Sequence, residues 1–264
     1  MSKRFEESLS ENYQARQQFF LQETENKWKD LLADLNSIRN LFSETVEISN
    51  DLSRTADGNE GRFLKAYLYL ATKTLNLAES AMHLAKRGLV LAALIIVRTM
   101  HYDNLTMRYL SHRRDLMDLW LREQDKTGLA DKPSSEFLEK FSENRMAGLL
   151  AEQGESVGHN QIHGTISKLV HANPLGVVLV SKYDLLRMNP FDFTEMFIGV
   201  VQAIDFHMLE LMALFLKELE QLEVGKESLP QQVKQYHDKV IAYKALFEAN
   251  DQEREKLRHA GCDV

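Results

Sequence analysis

A chain of 264 residues, 44% of them hydrophobic, is long enough to bury a sizeable core without help from metal or disulfides. Cys262 is the sole cysteine, so no intrachain disulfide can form and a reducing, cytoplasmic setting is expected. The formal charge of -7 argues against a broad basic surface for nucleic acid, and the charged opening from Met1 to Phe20 lacks the basic-then-apolar order of a secretory signal.

Trp28, Leu31, Leu35, Ile38 and Phe42 recur at intervals of three and four, which predicts one amphipathic helix over about 5–48 with a narrow apolar seam. Ser49 to Gly61 holds turn-forming residues and no apolar period, and reads as a loop. Phe63, Tyr67, Leu70, Leu77, Ala81 and Leu84 give a face to a second helix, about 62–87, and Gly88 separates it from a third, about 89–124. The first half of that third helix, Leu89–Val97, is apolar on every side, so it is expected at the centre of a bundle. Its nine residues fall far short of the ~20 needed to cross a bilayer, and no membrane span is expected.

Lys126 to Ser135 contains Pro133 and reads as a loop, with Ser134 or Ser135 capping a fourth helix that runs to about Gln153. A fifth helix is predicted over 157–172, ending at Asn173-Pro174. The stretch 175–188 includes a β-branched run that fits a short strand or an irregular buried loop. Asn189-Pro190 turns into a sixth helix, about 192–223, and Pro230 opens a seventh that reaches about 258, with a charged helix end over 248–264. With only 4 Pro and 12 Gly to make turns, the chain reads as all-α: a single domain over 1–264, built as a bundle of six or seven helices.

His159 and His163 stand four apart, the spacing of zinc peptidases, but the segment reads HNQIH and Asn160 occupies the place of the glutamate that would activate water. No metal site is assigned to them. No histidine has Glu three residues before it, which excludes the di-iron carboxylate pattern, and neither phosphate-binding glycine loops nor a hydrolase elbow is present. No cofactor is implied. Polar residues on apolar stripes say more. Leu91, Ile95, Arg98, Tyr102, Leu105 and Tyr109 share one face of the third helix, which turns Arg98 toward the core, where a guanidinium needs a partner. Asp205 lies on the apolar face of the sixth helix with Ile198, Val201, Met208, Met212 and Phe215, and is the expected counter-ion. Ser167 and His171, four apart, flank the apolar positions of the fifth helix. Arg98, Ser167, His171 and Asp205 thus form the candidate cluster, either a structural ion pair with satisfied hydrogen bonds or a small polar pocket.

The chain resembles a loose bacterial group of all-helical proteins in the style of the HEPN-like and abortive-infection proteins. The resemblance covers about 88–174 and rests on an R-x-x-E helix after an apolar run and a later S-x-x-x-H. Here these read Arg98-Thr-Met-His101, with His101 in place of Glu, and Ser167-Lys-Leu-Val-His171. The resemblance implies a helical bundle, and its catalytic members cut RNA with R-x(4–6)-H on one helix. The one fit to that spacing is Arg254 to His259, in the charged C-terminal stretch. The expectation is therefore a non-enzymatic helical module that binds a protein partner or a small ligand, self-associating through its long first or sixth helix. The alternative is a HEPN-like ribonuclease or toxin-type effector, which requires a basic groove from Arg108, Arg113, Arg114 and Arg122 beside a histidine.

Overall fold

The computed structural model describes residues 3–126, 132–154 and 190–219, together with Asp238, Ile241 and Ala242. Over these residues the chain is an all-α bundle with eight α-helices and no strand. The single first helix expected from the apolar seam is two: α1 (Lys3–Lys27) and α2 (Lys29–Ser53). They part at Trp28, whose ψ of 25° lies outside the helical well. Backbone bonding bridges the break, since Trp28 N donates to Thr24 O at 3.1 Å and Leu32 N to Trp28 O at 2.9 Å.

The loop expected over 49–61 shrinks to the four residues between α2 and α3 (Gly58–Ala85). Polar residues such as Asp51 and Asn59 are simply the exposed faces of helical turns there. Gly58, with φ of 60°, supplies the left-handed residue at the start of α3, and Gly88, with φ of 79°, ends it. There Leu89 N folds back onto Leu84 O at 3.0 Å, satisfying a terminal carbonyl. α4 (Val90–His112) gives way at Arg113 to a 3-10 turn, Arg114–Leu116, and to α5 (Met117–Gln124), so the third expected helix is also broken. α6 (Ser135–Lys140) carries the expected cap, Ser134 Oγ accepting from Phe137 N at 3.2 Å. Phe141 and Ser142 then separate it from α7 (Glu143–Glu152). The last described helix is α8 (Pro190–Leu219). The expected fifth helix, the segment 175–188, the seventh helix and the end containing Cys262 lie outside the described residues.

α8 packs against α2, α3 and α4 at once, and α4 additionally against α3 and α7. Its Phe215 ring stacks on Tyr67 of α3 at 4.2 Å, and both side chains are fully buried. Between Met196 and Leu219 only Gly199 and Lys217 are exposed. This stretch, 24 residues with a mean hydropathy of 1.5, is the one described helix long and apolar enough to cross a membrane by length and composition. It exceeds the Leu89–Val97 run, and its burial among three helices together with Asp205, His207, Glu210 and Glu218 fits a core helix of the bundle.

Burial along α4 runs opposite to expectation. In its apolar first half Ile95 is 48% exposed and only Val90, Ala93 and Val97 are buried. The polar half is the buried one, with His101, Asp103, Asn104 and Thr106 enclosed. Position contributes to this: α7 and the turn before it bond to the polar half of α4, Glu143 to Arg98, Phe141 to Tyr102 and Met146 to Thr106. Hydropathy along one helix carries no information about where its neighbours begin.

Candidate functional site

Arg98 does meet a carboxylate from another helix, but it is Glu143 of α7, at 3.2 Å, rather than Asp205. The pair is partly exposed, 31% for Arg98 and 21% for Glu143, so solvent screens it and it is not the deeply buried ion pair the stripe suggested. Helices α7 and α8 both pack on α4, and the guanidinium is taken by the carboxylate that α7 supplies. Asp205 is buried, its Oδ1 has no hydrogen-bond partner, and burial, reinforced by the charge of Asp34 on α2, pushes its carboxyl up to about 7. Ser167, His171, His159 and His163 lie outside the described residues, so of the four cluster residues only Arg98 and Asp205 are described, and Arg98 pairs with Glu143.

What it assembles instead is a polar seam between α4 and α8. Asp103, almost fully buried, takes Lys73 Nζ of α3 at 2.7 Å through Oδ1, while Oδ2 has no partner. Burial outweighs the nearby ammonium, and the Asp103 carboxyl rises to about 6. One residue on, Asn104 Nδ2 donates to the carbonyl of His207 at 3.4 Å. His207 is wholly buried with its ring facing that of His101, the centroids 5.5 Å apart. Burial and, secondarily, His101 lower its pKa to about 3, so this imidazole is neutral. His207 and Asp103 escaped sequence reasoning, though for His207 a signal existed: polar residues that interrupt the long apolar stretch of α8 are buried with it.

Three of the four arginines that a nuclease groove would need, Arg108, Arg113 and Arg114, are engaged with acids. Arg108 faces Glu210 at 4.0 Å, Arg113 holds Asp115 at 2.6 Å, and Arg114 pairs with Glu218 while lying over the Phe63 ring at 4.3 Å. Among the described residues no group of three or more His, Cys, Asp or Glu side chains could hold a metal.

On the outer side of α3 lies an open groove of about 560 Å³, lined among the described residues by Lys65, Leu68, Tyr69, Thr72, Lys73, Asn76, Leu77 and Ser80. The lining is chiefly apolar. Tyr69, 45% exposed, is held edge-on to Trp120 of α5 at 5.5 Å. Lys73 connects the groove to the buried seam, since its ammonium lies on Asp103. A second, smaller cavity of about 40 Å³ sits where Leu35, Ala78, Met82 and Met208 meet beneath Arg39 and Glu79, room for little more than water. Comparison of the chain with protein-family models, with curated proteins and with solved structures returns no match.

Proposed function

We propose that this chain is a non-enzymatic helical binding module that holds a long-chain apolar anion, a fatty carboxylate in kind, along the outer side of α3. The length and chiefly apolar lining of the groove carry this reading: from Lys65 to Ser80 the helix rises about 22 Å, a reach that suits an extended alkyl chain lying along it. Leu68, Tyr69 and Leu77 supply apolar contact along the length, and the exposed Lys65 offers a cation at one end for the head group.

The engagement of Arg108, Arg113 and Arg114 with carboxylates supports this reading over the ribonuclease alternative, which requires them as a basic groove. For self-association the reading moves from the sixth helix to the first: α8 is enclosed, whereas α1 is exposed over Glu11–Ala15. A cytoplasmic location remains part of the proposal, carried by the lone Cys262.

The test is a titration of the full chain with anilinonaphthalene sulfonate, an apolar anionic dye, read by energy transfer from Trp120. Saturable binding that dodecanoate displaces is expected, weakened about tenfold or more, some 1.4 kcal/mol, in Lys65→Glu and in Leu68→Asp. Unchanged affinity in both variants contradicts the groove as the site.

A further inference from the structure

His207 is the most isolated polar side chain of the described core: fully buried, with hydrogen-bond partners on neither Nδ1 nor Nε2. A neutral imidazole has one N–H and one lone pair, and leaving either unanswered in the interior costs about 1–3 kcal/mol. A buried group of this kind calls for an occupant beside it. What faces it across the α4–α8 seam is a second imidazole, that of His101, itself 5% exposed, with the two rings tilted by 51° and their centroids 5.5 Å apart.

The spacing admits two ligands on one ion. With metal–nitrogen bonds of about 2.0–2.1 Å and ring centres roughly 1.1 Å behind the nitrogens, two imidazole centres lie about 5 Å apart at a tetrahedral angle and about 6 Å apart when linear. The observed 5.5 Å falls between these limits. We propose that His101 and His207 form a two-imidazole site for a d10 transition-metal ion, and specifically for the cuprous ion.

Two features favour copper(I) over zinc. Zinc asks for four ligands, and among the described residues no third His, Cys, Asp or Glu side chain joins the pair. A single positive charge also costs less to bury than two, and Asp103, the carboxylate nearest His101 in sequence, is taken by Lys73. The site is independent of the α3 groove, so either can fail without the other.

The experiment uses the full chain, stripped with chelator and offered copper(I) as its coloured bicinchoninate complex. Wild type is expected to withdraw about one equivalent, and His101→Leu and His207→Leu none. Both variants should keep the helical far-UV spectrum, since leucine is close to histidine in volume and suits a buried helical position. X-ray absorption of the loaded wild type should show nitrogen scatterers alone, which holds even if one variant fails to fold. The proposal is overturned if wild type takes no copper, if both folded variants take as much as wild type, or if zinc is taken in its place. Sulfur scattering that disappears in Cys262→Ser would also overturn it, because Cys262 is the competing thiol.

Discussion

Two buried residues separated by one position on α8 respond to pH in opposite directions. Asp205, its carboxyl raised to about 7, keeps its proton in the fold while the unfolded chain releases it near pH 4. Its contribution to stability is therefore full below pH 4 and is lost as pH rises toward 7. His207, lowered to about 3, stays neutral in the fold while the unfolded chain charges below about 6.5, so its contribution is present at neutral pH and is lost as pH falls. Asp205→Asn should thus leave stability at pH 4 nearly unchanged and raise it at pH 8, by up to about 4 kcal/mol, in urea unfolding followed at the two pH values. An equal effect at both would show that the carboxyl ionises normally. Sequence reasoning placed Asp205 on an apolar face correctly and gave it the wrong relation to Arg98. The 3.6-residue period tells which face a side chain occupies; which neighbour lies against that face is settled by packing between distant helices.

At the scale of the element, helices were legible wherever an apolar seam was regular, as in α3 and α8, and so was the stop at Gly88. The breaks at Trp28, Arg113 and Phe141 were not, because each sits inside a continuing apolar period and departs from the helix only in one or two dihedrals. The join between α2 and α3 offers a sharp test. Gly61 is helical, but a Cβ there would meet Ala56 O at 2.4 Å, whereas at Gly199 of α8 a Cβ would meet nothing within 4 Å. Both glycines forgo about 1 kcal/mol of helix propensity relative to alanine. Gly199→Ala should therefore raise the melting temperature, while Gly61→Ala should lower it by about 1–3 kcal/mol of stability, since the Ala56 carbonyl must move away from a buried contact. Stabilisation by both would mean that the α2–α3 turn yields freely.

At the scale of the molecule, the all-α class follows from composition and period, but the function does not, because the groove and the polar seam are products of how α3, α4 and α8 meet. Lys65, Leu68, Tyr69 and Leu77 are unremarkable along the chain. They become a slot only because the buried face of α3 is spent on α2, α4 and α8, leaving this stripe outward. Lys73 is the link between the two sites, touching the groove with its stem and Asp103 with its ammonium. The proposed function requires that an alkyl anion lie along that stripe. Methyl NMR of the full chain titrated with dodecanoate measures this: saturable shifts at Leu68 and Leu77, with the core methyls of Leu105 and Leu211 still, are the predicted result, and silence at Leu68 and Leu77 would contradict it.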